Sequence, residues 1–255
     1  MDSETTTNET HMAAPVQKQA NPFIIPASII IGFAMIAGAL YFTRQAPTAL
    51  PVAGNNAAEA PLAGGPTGEI RPVDEDDHIL GNPNAPIVIV EYSDYDCPFC
   101  KNYHETMNRI MTDYGAGGKV AWVYRHFPIE QLHPNAPVIA LASECVADLG
   151  GNEAFWTFSD LVFGEREINA QTNMTELTGY ATQAGVNGTE FDTCVSEGRF
   201  IDRVNEDFAD AANAGAQGTP HSLVLVGGQQ GVINGAQPYE AVKQIIDTLI
   251  TQIEG

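Results

Sequence analysis

The sequence predicts an α/β domain with a helix-rich middle, set behind one N-terminal membrane-spanning helix. Short runs rich in β-branched residues, such as Ile87-Val88-Ile89-Val90, have the length of strands. Longer stretches with apolar residues at helical spacing lie between and after them. Near the N-terminus, residues 23–42 (FIIPASIIIGFAMIAGALYF) carry no charge over 20 positions.

That apolar segment reaches roughly 30 Å as a helix at about 1.5 Å per residue, the thickness of a bilayer's hydrocarbon. Pro26 falls in its first turn, where a missing N–H costs little. The rival is a cleaved signal peptide, with Ala37-Gly38-Ala39 as a small-residue cleavage site. A signal peptide has a short basic start, whereas residues 1–22 here are a long tail holding Asp2, Glu4 and Glu9 against Lys18 alone. The reading is therefore a retained anchor. Lys18 on one side and Arg44 on the other leave its orientation undecided by charge. Residues 43–68, rich in Pro, Gly and Ala and without apolar period, read as a flexible linker. As a coil of about 25 residues it spans on the order of 27 Å.

Beyond the linker, residues 69–255 form the domain. Ile87–Val90 predicts a buried strand, and Lys101–Tyr114 a helix ended by Gly115, Gly117 and Gly118. Val120–Tyr124 predicts a second strand, Ser222–Val226 a third, and Gly231–Asn234 a fourth after a Gly-rich turn. Pro238 opens a last helix, in which Val242, Ile245, Ile246, Leu249, Ile250 and Ile253 share one face. The chain has 32 acidic residues against 11 basic ones, a formal charge of −21. This excludes a nucleic-acid partner, which needs clustered Lys and Arg, and reads as a solvated acidic surface.

Between the first strand and the first helix stands EYSDYDCPFC, with Cys97 and Cys100 flanking Pro98 and Phe99. The first N–H groups of a helix have no intrahelical partner, and with the helix dipole they favour an anion. Cys97 is placed to be that anion as a thiolate, and Cys100 lies one turn on, near enough to close a disulfide ring. A tetrahedral zinc site needs four ligands, usually two matched pairs. Cys145 and Cys194 are isolated, and His78, His104, His126, His133 and His221 show no paired spacing, so no metal is expected. Haem attachment needs a histidine where Lys101 stands. An inert staple across so small a loop would add little stability. The strand-to-helix setting favours redox work, which needs no further cofactor.

The stretch GNPNAPIVIVEYSDYDCPFCKNYHE, followed by VYRHFP, HPNA and Gly218-Thr219-Pro220, resembles the DsbA-type thioredoxin-fold thiol–disulfide oxidoreductases over about residues 70–253. The resemblance implies a thioredoxin fold interrupted by a helical insertion, here at about residues 128–218. Four to five helices fit that interval. Val138, Leu141, Ala142, Cys145 and Leu149 line one face, and Ile201, Val204, Phe208 and Ala211 line another.

Several roles are implied by the same resemblance. Cys97 is the exposed nucleophile and Cys100 resolves the mixed disulfide. Glu91, six residues before Cys97, is a buried acid that exchanges a proton with Cys100, and a carboxyl in an apolar site has the raised pKa this needs. Pro220 is the family's cis-proline, and the Thr219 backbone pairs with an incoming peptide. His221 departs from the usual residue after that proline and reads as a hydrogen-bonded structural histidine. Phe99 replaces the histidine of the strongest oxidases and cannot stabilise a thiolate. Asp94 and Asp96 would raise the Cys97 pKa, Lys101 would lower it, and Asp96 is also a candidate helix cap.

Some members of the family carry a second disulfide in the cap, which implies a structural Cys145–Cys194 bond; two buried free thiols are the alternative. Such a bond needs an oxidising compartment and so places the domain outside the cytoplasm. The expectation is a single-pass protein of a prokaryotic plasma membrane that introduces disulfides into cysteine-containing extracytoplasmic polypeptides. A quinone-linked membrane oxidase would restore it. A reductase or isomerase of the same fold, or a non-catalytic tethered binding or chaperone module, are the alternatives.

Overall fold

A computed structural model describes residues 68–255. The tail at 1–22, the apolar segment at 23–42 and nearly all of the linker lie outside the described residues. Among the described residues no helix is long and apolar enough to cross a membrane.

Five strands form one mixed sheet: β1 (His78–Gly81), β2 (Ile87–Ser93), β3 (Val120–His126), β4 (His221–Val226) and β5 (Gln229–Asn234). Their spatial order is β1-β3-β2-β4-β5. β2 and β3 run parallel, joined by the crossover helix α1 (Pro98–Ile110), and the other pairs are antiparallel. The thioredoxin-like α/β architecture is thus present. β1 was not among the predicted strands: it is four residues long, begins with a histidine and sits at the sheet edge. α1 begins three residues before the predicted Lys101, and a π-helical turn, Met111–Gly115, replaces its last predicted turn.

The remaining helices are α2 (Ala136–Glu165), α3 (Leu177–Gln183), α4 (Gly188–Glu197), α5 (Ile201–Asn213) and α6 (Tyr239–Glu254), with a 3₁₀ turn at Met174–Glu176. α2 is two helices joined at a kink, where Gly151 takes φ 79°, a value L side chains rarely adopt. Side chains of β2 alternate between two cores. Ile87 and Ile89 enter the larger one with Tyr103, Met107, Phe155, Phe158, Val242 and Ile246. Val90 and Tyr92 enter the smaller one with Val123, Leu223 and Ala211. With both faces covered, the strands read as continuous apolar runs.

Two predicted helix faces hold in part. On α2 the predicted Leu141, Ala142 and Cys145 are buried, Ile139 and Val146 join them, and Val138 is 41% exposed. On α5 the buried residues are Val204, Asp207, Asp210 and Ala211, and Phe208 is 42% exposed. The aspartates turn inward because buried cations wait for them. Arg125 of β3 is clamped by Asp77 (2.9 and 2.8 Å) and by Asp210 (2.6 Å). Asp207 accepts from Arg71 (2.9 Å) and from the His126 amide (3.0 Å). Cys145 of α2 and Cys194 of α4 form a disulfide across 49 residues. Closing a loop of that size contributes roughly 4 kcal/mol in the chain-entropy account.

Candidate active site

β2 ends at Ser93, and a tight turn delivers Cys97 to the N-cap of α1. Asp94 shapes this turn: its carbonyl accepts the Cys97 amide (3.1 Å) and its carboxylate the Asp96 amide (2.8 Å). Asp94 also accepts from the Ile129 amide and from His133 Nδ1, both at 2.8 Å. Asp96 does not cap α1. Its carboxylate is taken by the Thr172 amide (2.8 Å) and hydroxyl (2.6 Å), and Cys97 itself occupies the cap position in extended backbone. Pro98 follows in the first turn, where its fixed φ suits the helix.

Cys97 and Cys100 are both free thiols. Contrary to the expectation of an exposed nucleophile, Cys97 is only 4% exposed, because the Thr219 carbonyl lies against its sulfur at 3.4 Å. The Cys97 pKa is lowered to about 6. The Cys100 thiol does most of this, burial opposes it, and the Thr219 side chain and the Cys100 and Phe99 amides add to the lowering. Burial pushes the Cys100 thiol well up, and the neighbouring Cys97 sulfur pushes it further. The pair therefore holds one sulfur ready to ionise and the other protonated. Phe99 is 63% exposed, and its backbone amide, not its side chain, serves the sulfur.

Glu91 lies in β2, fully buried, paired with Tyr124 on one side and Ser222 on the other. Trp122 Nε1 donates to one carboxyl oxygen at 3.0 Å, and the other has no protein partner. Burial raises its pKa to about 7, with the Trp122 hydrogen bond pulling the other way and the Cys97 charge adding to the rise. The Glu91 charge in turn adds to the raised Cys100 pKa, so the two groups are electrostatic neighbours. Sequence reasoning missed Trp122, which reads as an ordinary strand residue.

The Thr219–Pro220 bond is cis, and Pro220 leads into β4. A cleft of about 500 Å³ opens beside these residues, lined also by Gln217, Val232 and Asn234. His221 is buried, donates to the Ala214 carbonyl at 3.2 Å, and has its pKa lowered by burial. The fold thus gathers Cys97, Cys100, Glu91, Thr219 and Pro220 at one end of the central strands. Cys145 and Cys194 stand apart from them in the insertion.

Two further arrangements escaped the sequence. Lys101 does not face Cys97; its ammonium donates to the Phe163 and Gly164 carbonyls at the end of α2. His78 and His126 converge on Glu144, each Nε2 donating to the same carboxylate oxygen at 2.9 and 2.8 Å. Their donor atoms lie within 4.8 Å of one another, so these are the described residues able to hold a metal. Burial works to raise the Glu144 pKa, but the two histidines hold it well below the usual carboxylate range. Hydrogen bonds account for the cluster, which ties β1 and β3 to α2.

A family model described as Thioredoxin matches residues 73–248. Among solved structures, BdbD from Bacillus subtilis is similar with a TM-score of 0.62 at 22% identity, covering 72% of this chain and 98% of that one. The α-DsbA1 of Wolbachia pipientis gives 0.60 at 23%, covering 71% and 94%. Pseudomonas aeruginosa DsbA2 gives 0.57 at 23%, covering 70% and 97%. These likenesses show a shared fold. Curated relatives include the Na(+)/H(+) antiporter NhaA 1 of Mycolicibacterium gilvum, 33% identical over 158 residues, which are 61% of this chain and 24% of that protein. The protein of the same name from Salinispora arenicola is 32% identical over 154 residues, 60% of this chain and 22% of that protein. The chain spans about a quarter of the length of these relatives.

Proposed function

Because this chain belongs to the thioredoxin family and has the fold of DsbA-type thiol–disulfide oxidoreductases, we propose that it introduces disulfides into cysteine-containing extracytoplasmic polypeptides by exchange at Cys97 and Cys100. In the oxidised enzyme a substrate thiolate attacks Cys97 Sγ. The Cys97–Cys100 bond breaks, and Cys100 leaves as a thiolate that takes a proton from Glu91. A second substrate thiolate then attacks the substrate sulfur of the mixed disulfide and expels Cys97 as a thiolate. The substrate loses two electrons and two protons, and the dithiol enzyme holds the electrons. A quinone-linked membrane protein is the partner that takes them on.

One arrangement carries this reading: Cys97 stands as a free thiol at the N-cap of α1, one turn before Cys100 and 3.4 Å from the Thr219 carbonyl, a setting that lowers its pKa to about 6. A stabilised thiolate is a good leaving group, and it stabilises the reduced enzyme, which makes the disulfide an oxidant. The Thr219 backbone beside it offers the edge on which an extended peptide pairs. The Cys145–Cys194 disulfide supports a site outside the cytoplasm, with residues 23–42 as the tether to the plasma membrane.

The test is alkylation of Cys97 across a pH series, together with oxidation of a dithiol peptide. The expected midpoint is near 6, and Cys97→Ser abolishes turnover. A midpoint above 8, or turnover that survives Cys97→Ser, refutes the assignment.

A further inference from the structure

Phe99 brings no charge to the motif, and Lys101 is committed to carbonyls at the end of α2. One cation nevertheless reaches the nucleophile, from 69 residues away. α2 stops at Glu165, and Arg166 turns to extended backbone, which returns its side chain to the interior at 5% exposure. One guanidinium nitrogen donates to the Cys97 carbonyl at 3.0 Å and another to the Ala170 carbonyl at 2.8 Å. Nε is buried without a partner. Among the described residues, no carboxylate oxygen lies within the 4.0 Å of an ion pair with Arg166.

A buried guanidinium without a touching carboxylate is costly, and it stays charged at any physiological pH. The charges around it explain its place. Asp94 and Asp96 both precede Cys97; Asp94 is paired with His133, while Asp96 is held by Thr172 and has one carboxylate oxygen buried without a partner. Glu91 adds a third acid from β2, and Cys100 faces the sulfur from α1. Two carboxylates beside a thiolate oppose its formation. Burial lowers the Arg166 pKa, and the charges of Asp96, Cys97, Cys100 and Asp94 work against that lowering, so the guanidinium lies within the field of the motif whose carbonyl it holds.

We propose that Arg166 is a positioning residue for the exchange reaction: its guanidinium holds the Cys97 carbonyl and supplies the positive charge that offsets Asp94 and Asp96 at the Cys97 sulfur. The inference rests on Cys97 being the nucleophile. It assigns to an insertion residue the task that Phe99 leaves undone. A merely structural Arg166 would pin the end of α2 to the start of α1 and leave the sulfur's ionisation untouched.

The variants are Arg166→Gln and Arg166→Lys, with Arg166→Met, which keeps the stem and leaves no buried donors, standing in if the glutamine protein does not fold. Each is measured by Cys97 alkylation against pH and by equilibrium with glutathione. Loss of the charge is expected to lower the Cys97 thiolate fraction at pH 6 by about threefold or more. The same threefold change in the exchange constant corresponds to a potential about 14 mV more negative. Arg166→Lys, which keeps the charge, is expected to retain most of the wild-type thiolate fraction. A neutral variant that folds and ionises Cys97 as wild type does overturns the proposal, as does a lysine variant that behaves like the neutral one. Wild-type Cys97 ionising like a free thiol would instead refute the nucleophile assignment itself.

Discussion

Glu91→Gln separates the buried acid from every other part of the site. Burial moves the Glu91 carboxyl from 4.5 to about 7 in the folded protein. Between those two values the unfolded chain has lost its proton while the native protein keeps it, so stability falls as pH rises through this window. At about 1.4 kcal/mol per pH unit, the cost of holding this carboxyl reaches about 3 kcal/mol by pH 8 and vanishes near pH 4. Glutamine cannot ionise and still offers Trp122 Nε1 an oxygen to donate to, so it removes the cost and leaves the packing in place. Urea denaturation of both proteins with the cysteine pair reduced, at pH 4, 5.5, 7 and 8.5, gives the difference directly. Cys97 has the opposite linkage, its lowered pKa adding stability as pH rises from about 6 in both proteins, and its charge contributes to the raised Glu91 pKa, so their mutual repulsion is part of the cost that the glutamine removes. The variant is expected to match wild type at pH 4 and to exceed it progressively above pH 5. A pH-independent difference, or one largest in acid, refutes the buried-acid account. In turnover the same variant is expected to slow release of Cys100 by about a hundredfold or more, the lower end of the usual contribution of general acid–base groups.

Two further outcomes follow from the geometry. Arg125→Met leaves Asp210 buried without its cation and leaves Asp77 to Arg71 and Arg203, so denaturation is expected to show a loss of about 3 kcal/mol or more; a loss under about 1 kcal/mol would mean the network relaxes freely. Cys100→Ala removes the group that does most to lower the Cys97 pKa, so the alkylation midpoint is expected to rise above 6; with a disulfide-bonded peptide the Cys97 thiolate attacks one peptide sulfur, expels the other as a thiolate and accumulates as a mixed disulfide that no Cys100 resolves. An unchanged midpoint would assign the lowering to the backbone amides and Thr219 alone.

The parts of this protein legible in its sequence are those fixed by neighbours in the chain. The strands β2, β3 and β4 are apolar because both sheet faces are covered, and that leaves a run any reader can find. Cys97 and Cys100 stand at a strand-to-helix turn, so the proximity of the thiol to helical amides follows from spacing alone. Long-range pairing is what the sequence conceals. Asp207 and Asp210 look like a solvated helix face, and they are buried because Arg71 and Arg125, contributed by distant segments, meet them there. Glu144 is a lone acid in an apolar helix until β1 and β3 bring two histidines to it. The reading of Phe99 shows the consequence for chemistry. Judged by side chain, the dipeptide has nothing to offer a thiolate, yet the Cys97 pKa falls to about 6 through the Cys100 thiol, Thr219 and the amides of Phe99 and Cys100. What a residue type withholds, the backbone at a helix start supplies, and a cation from the insertion is free to arrive from outside the motif altogether. The environment of Cys97 is thus a property of three chain segments meeting, the motif at 97–100, the turn after α2 and the loop before β4, of which only the first is written as a recognisable word.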